Sequence, residues 1–188
     1  MSPAPHDRCL GDQGWYPISA ILFAFQWELP ERVEATSYTL NKVDTIVACS
    51  AVLFFKGGRV ATFDCGVTSA HRSQFEIVCE KGTVRVDDLV GGQGRSGDFG
   101  AYFAPYVGSG SYVVGDVMGK DEVVEVEACD HVDALVKEFT ACVNAVKAGG
   151  SMNPEWPRRS LAVHATMSAV FESVNKKGAH IKVRGIEI

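Results

Sequence analysis

The chain has 188 residues, of which 46% are hydrophobic and 22% charged, and its formal net charge at pH 7 is −5. This much apolar side chain with so little net charge can build a core, which excludes an intrinsically disordered protein. The acidic balance argues against a nucleic-acid partner, and no apolar run approaches the ~20 residues of a membrane span.

The N-terminus and the cysteines indicate a cytoplasmic protein. Residues 1–9 are polar and proline-containing, unlike a signal peptide, and we expect a disordered or truncated stub there. The six cysteines form no C-x-x-C pair and no cluster at metal-ligand spacing, so no metal site is predicted. Four cysteines sit among apolar residues and are expected to be plain buried thiols in a reducing compartment: Cys49, Cys65, Cys79 and Cys142.

The first predicted element is a helix with apolar residues at Trp15, Ile18, Leu22 and Phe25. From residue 32 the apolar period changes to two, and turn signals such as Lys56-Gly57-Gly58 join successive runs into hairpins. Hairpins join antiparallel neighbours, so the predicted sheet is antiparallel. The predicted strands are Arg32–Leu40, Thr45–Phe55, Arg59–Ser69, Gln74–Glu80, Thr83–Asp87, Ser111–Met118, Glu122–Ala128 and His180–Ile186.

Both faces of Thr45–Phe55 are largely apolar, which predicts a central strand with helices on one side and a second subunit on the other. Two helices precede the last strand. The first is capped by Asp130 and the second begins near Pro157. Their predicted buried stripes are Val132, Leu135, Val136, Phe139, Val143 and Val146, then Leu161, Ala165, Ser168, Phe171 and Val174. The fold class is therefore α+β, an open, mostly antiparallel β-sheet with helices on one face.

A glycine-rich segment, Asp88–Gly110, lacks any period. Within it, residues 92–97 spell G-x-G-x-x-G, the pattern of a dinucleotide-binding loop. Such a loop must open a helix whose N–H groups hold the pyrophosphate, and the residues that follow favour no helix. We therefore predict a lid or a subunit-contact loop here, not a nucleotide site.

The segment before the first helix carries the residues best suited to chemistry. Asp12 and Tyr16 are four residues apart, and one helix would place both on one face, where a carboxylate can position a phenol for proton transfer. In the alternative interpretation, Asp12 is an N-cap and Tyr16 a packed aromatic. Because of Pro17, the sequence does not decide at which residue the helix begins. An N-cap at Asp12 costs a helical hydrogen bond at Pro17, whereas an N-cap at Tyr16 separates the two side chains.

Three segments resemble one family. Gly11–Tyr16, read as GDQGWY, resembles the G-D-x-G-x-Y motif of the C-terminal domain of the glucose–fructose oxidoreductase / inositol dehydrogenase (Gfo/Idh/MocA) family. Phe54–Ala61 resembles its F-x-x-G-x-x-A hairpin, and Glu76–Val84 resembles its I-x-G-x-x-G-x-I hairpin, with Cys79 in place of a glycine. The resemblance covers residues 10–188. Many members have a histidine at the position of Tyr16. With a tyrosine there, the chain is similar to the dihydrodiol dehydrogenase branch of the family.

The resemblance implies an NAD(P)-dependent oxidoreductase of sugars, polyols or dihydrodiols. In this family a Rossmann domain binds the nucleotide, while the sheet domain supplies part of the substrate site and the oligomer interface. The motif implies that Asp12 and Tyr16 are catalytic and exchange a proton with the substrate. The expected contacts to a small polar substrate are Gln13, Trp15, Arg72, Tyr102 and Tyr106.

A further departure from the family is that only ten residues precede the motif, so we expect the family's Rossmann domain to be absent and the chain to be a fragment or a truncated product. We therefore expect that NAD or NADP serves the full-length enzyme, that neither binds this chain alone, and that the isolated domain is inactive. The alternative is a stand-alone sheet module that dimerises or binds a ligand without redox activity. In either case we expect a homo-oligomer formed through the sheet face.

Overall fold

The structure is a computed structural model that describes residues 8–70, 72–86, 89, 109–116, 121–127 and 131–185. The chain divides into two compact units. The first comprises residues 1–70 together with 154–188, and the second comprises residues 71–153. The first unit is thus assembled from two stretches of sequence that flank the second. The stub expected at residues 1–9 lies outside the description up to residue 7, and a helix begins at Arg8.

The described elements are two short helices, seven strands, two long helices and a short final strand. In chain order they are α1 Arg8–Asp12, α2 Trp15–Ala24, β1 Arg32–Leu40, β2 Ile46–Phe54, β3 Val60–Gly66, β4 Phe75–Cys79, β5 Gly82–Val86, β6 Ser109–Asp116, β7 Asp121–Glu127, α3 His131–Lys147, α4 Glu155–Asn175 and β8 Ile181–Lys182. The predicted α+β class is confirmed. The described strands form two four-stranded sheets, where the hairpin pattern alone indicated one.

The first unit contains the sheet β3-β2-β1-β8, in which every pairing is antiparallel. β2 is central, as its two apolar faces predicted. One face of this sheet is buried, because α1, α2 and α4 all contact its strands. Removing a side chain such as fully buried Leu53 from water is worth about 1.5–3 kcal/mol. The buried residues of this face include Val33, Ala35, Ala51, Leu53 and Phe63.

A buried serine joins α4 to β1. The short strand β8 pairs with β1 only at Arg32 and Val33, so the backbone of Ala35 lies beyond that pairing. The Ser173 hydroxyl accepts a hydrogen bond from the Ala35 N–H at 2.9 Å and donates one to the Ala179 carbonyl at 2.6 Å. Gly178 follows the helix with a φ of +86°, and a Cβ there would meet the Ala35 carbonyl oxygen at 3.0 Å. Ser173, at the end of α4, therefore supplies the hydrogen bond to the Ala35 N–H that a longer β8 would otherwise make.

The second unit contains the antiparallel sheet β4-β5-β6-β7 and the helix α3. α3 runs through Lys147 and is followed by Gly149 with a φ of +83°, a left-handed conformation that ends the helix. The stripe expected to be buried is wrong for this helix, because four of its members are more than half exposed. They are Leu135, Val136, Phe139 and Val146.

Two further expectations about burial need correction. Of the predicted buried stripe of α4, Val174 is buried but Ser168 is exposed, and most of the buried residues belong to the neighbouring face. That face includes Thr166 and Ser173, whose hydroxyls bond to backbone groups and so cost little to bury. Cys79, expected as a buried thiol, is exposed, because β4 ends there at a turn. The buried residues of α4 are Val163, Thr166, Met167, Ala169, Val170, Ser173 and Val174.

Among the described residues, no helix has the length and apolar character needed to cross a membrane. Within the same ranges, no group of three or more His, Cys, Asp or Glu side chains is placed to hold a metal ion.

Candidate functional site

The predicted catalytic pair lies at the junction of α1 and α2. α1 ends at Asp12, and α2 begins at Trp15 after a turn at Gln13 and Gly14. The N-cap of α2 is Gly14, with φ −68° and ψ −21°, so neither helix start considered from the sequence is correct. Pro17 occupies the third position of α2, where its missing N–H removes no helical hydrogen bond. Asp12 and Tyr16 thus belong to two successive helices and not to one.

Gly14 is required at this junction by close packing. A Cβ at this position would lie 2.4 Å from the Leu10 carbonyl oxygen and 2.8 Å from the Leu10 Cδ1 atom. Both distances are shorter than van der Waals contact, so only glycine lets the two helices meet this closely. The Cys9 carbonyl accepts hydrogen bonds from the N–H groups of Gln13 and Gly14, at 2.9 and 3.1 Å, which fixes the turn.

The support beneath the pair is buried, whereas the pair itself faces outward. The side chains of Cys9 and Leu10 on α1 are fully buried, as is Ile18 on α2. Asp12 is exposed, and 46% of Tyr16 is accessible. A carboxylate and a phenol are therefore presented to solvent from an anchored backbone, and their catalytic role stays a prediction.

The two neighbours of the pair that were predicted to touch substrate make contacts within the protein. The Gln13 Oε1 atom accepts a hydrogen bond from the Gly66 N–H at 3.2 Å and so ties the turn to the end of β3. The Trp15 ring meets the His164 ring edge-to-face, with centroids 5.0 Å apart and an interplanar angle of 67°. These contacts give both residues a positioning role, and their contact with substrate stays a prediction.

The other predicted substrate residues lie in the second unit or outside the described residues, so their contact with substrate also stays a prediction. Arg72 is exposed and belongs to the second unit. Tyr102 and Tyr106, like the G-x-G-x-x-G segment at 92–97, lie outside the described residues. His164 was not predicted as a site residue, and no local pattern could have identified it, because its contact with Trp15 spans most of the chain.

Three cysteines lie close together next to the α1–α2 junction. No pattern in the sequence predicts that they are close. The Sγ atoms of Cys9 and Cys65 are 3.4 Å apart as free thiols. This contact lowers the pKa of Cys9 and, with burial, raises that of Cys65. Cys49 faces Cys65 across the β2–β3 pairing, and burial raises the pKa of Cys49 to about 12.

A concavity with a volume of about 140 Å³ lies at the start of α4. Its lining includes Trp27, Glu155, Arg158 and Arg159. The Glu155 carboxylate forms ion pairs with both arginines, at 3.3 and 3.7 Å. The Arg159 guanidinium also lies 5.1 Å from the Trp27 ring centroid. Because the arginine charges are already partnered, this concavity is a weaker candidate than the junction of α1 and α2.

Comparison with known proteins agrees with the motif. The family model described as the GFO/IDH/MocA C-terminal domain matches residues 1–85, so the resemblance seen in Gly11–Tyr16 is confirmed. KijD10, a 3-ketoreductase from Actinomadura kijaniata solved with NADP, matches 90% of this chain and 49% of its own length, with a TM-score of 0.66 and 19% identity.

Two further structures give similar values. A proposed oxidoreductase from Klebsiella pneumoniae matches with a TM-score of 0.67 and 19% identity, covering 95% of this chain and 50% of its own. A proposed NADPH-dependent oxidoreductase from Desulfitobacterium hafniense matches with a TM-score of 0.67 and 17% identity, covering 93% of this chain and 47% of its own. The likeness establishes a shared fold, and the chain spans about half the length of these proteins.

Proposed function

We propose that this chain, whose residues 1–85 match the family model of the GFO/IDH/MocA C-terminal domain, is the substrate-binding part of an NAD(P)-dependent oxidoreductase. The proposed reaction is at a hydroxyl group of a sugar, a polyol or a dihydrodiol. The observation that carries the proposal is the exposed Asp12–Tyr16 pair of the family motif on an anchored backbone. KijD10, which shares the fold, was solved with NADP and TDP-benzene, and this supports a reduced or oxidised nicotinamide as co-reactant.

The described elements do not fit the nucleotide itself. Every strand pairing in the described residues is antiparallel, whereas a dinucleotide site needs a parallel β-α-β unit with a glycine-rich turn. We therefore propose that NAD(P) is held by a domain other than the described units, and that the described units by themselves lack redox activity. Hydride acceptance is the chemistry that NAD(P)⁺ would supply there.

What this chain contributes in the proposal is proton transfer. During oxidation of a secondary alcohol, the hydroxyl proton must leave as the C–H bond is broken. The Tyr16 phenol is the group proposed to exchange that proton, and the Asp12 carboxylate is proposed to orient the substrate or the phenol. The buried Cys9 and Leu10 and the Gln13–Gly66 hydrogen bond hold both groups in place, so little reorganisation is needed.

Ligand binding to the 188-residue chain tests the substrate half of the proposal. The probes are myo-inositol, glucose and a TDP ester. We expect a sugar or polyol probe to shift the backbone amide resonances of residues 12–16. Replacing Tyr16 by Phe should weaken that binding about three- to tenfold, the value of one hydrogen bond. Tyr38→Phe is the matched control, because it removes the same hydroxyl from a half-buried residue of β1.

Two results would contradict the proposal. The first is a set of shifts confined to residues remote from 12–16, which would place the ligand elsewhere. The second is micromolar binding of NADP to this chain alone, measured by calorimetry, which would mean that the nucleotide site lies within it. In an enzyme form that holds NAD(P), Tyr16→Phe should lower kcat by about 10²–10⁴-fold, and Tyr38→Phe should leave it unchanged.

The second candidate function is self-association through the outer face of the first sheet. Val52 is partly exposed on this face, and Val60, at the start of the neighbouring strand, is 50% exposed. The Arg32 guanidinium covers the Phe54 ring at 4.1 Å, so the proposed surface is mixed and not purely apolar. Sedimentation velocity over a range of protein concentrations tests this. Val60→Lys should weaken any dimer, and a wild-type chain that stays monomeric throughout rejects the idea.

A further inference from the structure

Two thiols from different parts of the sequence meet beneath the α1–α2 junction. Cys9 is on α1 and Cys65 is on β3, with 56 positions between them, and their Sγ atoms are 3.4 Å apart. The Cys9 Sγ also lies 3.5 Å from the Cys65 carbonyl oxygen. A disulfide requires the sulfurs to approach to about 2.05 Å, so only a small shift of α1 relative to β3 separates the thiols from a bond.

The contact makes the two sulfurs unequal. When the Cys65 S–H donates to Cys9, it stabilises a thiolate at Cys9 and lowers the pKa of that group. The same contact and burial raise the pKa of Cys65. Only thiolates attack peroxides and disulfides at useful rates, so Cys9 is the favoured nucleophile and Cys65 the resolving thiol. Burial of Cys9 and the nearby Asp12 carboxylate both oppose its ionisation and limit the effect on its pKa.

The burial of the two thiols limits which oxidants can reach them. Cys9 is fully buried, whereas Cys65 is partly exposed. Because Cys9 is fully buried, a bulky disulfide oxidant cannot reach its sulfur without opening the core, so the reaction requires an oxidant close to the size of water. Hydrogen peroxide is the oxidant class that meets this requirement.

We propose that Cys9 and Cys65 form a reversible redox-modification site, in which hydrogen peroxide converts the two thiols into a disulfide. The Cys9 thiolate attacks one peroxide oxygen, the O–O bond breaks, and the hydroxide released takes up a proton to leave as water. The sulfenic acid formed at Cys9 is then attacked by the Cys65 sulfur, and its oxygen leaves as a second water with the proton of Cys65. Two thiols lose two electrons and one peroxide is reduced to two waters.

Cys49 is the main competitor for this bond. It faces Cys65 across the β2–β3 pairing, so a Cys49–Cys65 disulfide is the alternative product. Its pKa, raised by burial, keeps it protonated and a poor nucleophile. The one close sulfur–sulfur contact within the described residues joins Cys9 to Cys65, and this favours their pairing over the alternative.

The bond would tie α1 to β3 beside the residues that present Asp12. Asp12 follows Cys9 on the same short helix, and Gly66, which donates its N–H to Gln13, follows Cys65. The proposed disulfide and this hydrogen bond would therefore clamp the junction at two adjacent points. The chemistry of the thiols does not depend on the proposed oxidoreductase function, and it can be tested without any substrate.

The experiment is a peptide map of the wild-type chain after peroxide treatment. The fully reduced protein is exposed to one equivalent of hydrogen peroxide, alkylated and digested with trypsin without reduction. Cys9 and Cys65 fall on peptides 9–32 and 60–72, while Cys49 falls on 43–56. We expect peptides 9–32 and 60–72 to be linked, with the loss of two hydrogen atoms from the intact mass, and dithiothreitol to restore six alkylated thiols.

Variants separate this pair from general thiol oxidation. Cys79→Ser, which removes an exposed thiol of the second unit, should leave the linked peptides unchanged. Cys65→Ser should abolish them. The proposal is overturned if peptides 43–56 and 60–72 are the linked pair, or if Cys9 and Cys65 stay alkylatable while Cys79 is oxidised. Because the map uses the wild-type chain, it remains decisive even if a Cys9 variant fails to fold.

Discussion

Ser173 is the residue whose removal tests the fold of the first unit most directly. Its hydroxyl is fully buried, accepts from the Ala35 N–H and donates to the Ala179 carbonyl. Ser173→Ala leaves the buried Ala35 N–H without a partner, a cost of about 1–3 kcal/mol. Ala179 is exposed, so water replaces most of the second bond and adds only about 0.5–1 kcal/mol. We expect a total loss of about 1.5–4 kcal/mol in the free energy of unfolding.

Urea denaturation followed by tryptophan fluorescence measures this loss. All three tryptophans of the chain belong to the first unit, so the signal reports on the unit that contains Ser173. With a slope of about 2 kcal/mol per molar urea, the midpoint should fall by roughly 1–2 M.

Two control variants on the same helix isolate the cause. Ser168→Ala makes the same substitution at an exposed position and should be neutral or slightly stabilising, because alanine favours helices. Thr166→Val removes another buried hydroxyl, but that group donates only to the Ala162 carbonyl of its own helix, so the loss should stay under about 1 kcal/mol. If Ser173→Ala costs no more than these two, the link between α4 and β1 does not stabilise the unit as argued.

Two further predictions concern the α1–α2 junction and the thiols next to it. Gly14→Ala should lower the free energy of unfolding by about 1–3 kcal/mol, and with it the urea midpoint, because the added Cβ would overlap Leu10. Gly185→Ala, where no atom lies within 4 Å of the added Cβ, should not; equal effects of the two substitutions would contradict the packing argument. The pKa of Cys49 is raised from 9.0 to about 12, so between these pH values the unfolded thiol has lost a proton that the folded thiol keeps. The free energy of unfolding should then fall by about 1.4 kcal/mol per pH unit, and Cys49→Ala should flatten that slope relative to wild type.

Local patterns predicted the elements well because most of them are set by neighbours in sequence. The bounds of β1 were predicted as found, and the hairpin turn at Lys56-Gly57-Gly58 is present with Gly57 at a φ of +70°. The central position of β2 followed from its two apolar faces, since only an inner strand is covered on both sides.

The errors arose where long-range packing decides. α4 carries apolar residues around much of its circumference, so several stripes fit its sequence, and contacts with β1 select the face that includes Val170 and Ser173. The helix start near Pro17 was also missed, because the close approach of Gly14 to Leu10 depends on the angle between two helices.

The candidate site was predictable only in part. Asp12 and Tyr16 were found through a family motif, which reports identity but not geometry, and the structure shows that two helices carry them. The thiol contact between Cys9 and Cys65 and the ring contact between Trp15 and His164 join distant parts of the chain. No spacing rule along the sequence predicts such contacts.

The split composition of the first unit has a consequence for biosynthesis. Its edge strand β8 and its covering helix α4 come from residues 154–185, whereas β1, β2 and β3 are translated much earlier. During synthesis, the part of the apolar face that α4 covers, around Val33 and Ala35 of β1, stays exposed until residues 154–185 have left the ribosome. A nascent chain paused before residue 154 should therefore be a client of holdase chaperones, and emergence of residues 154–185 from the ribosome should release it.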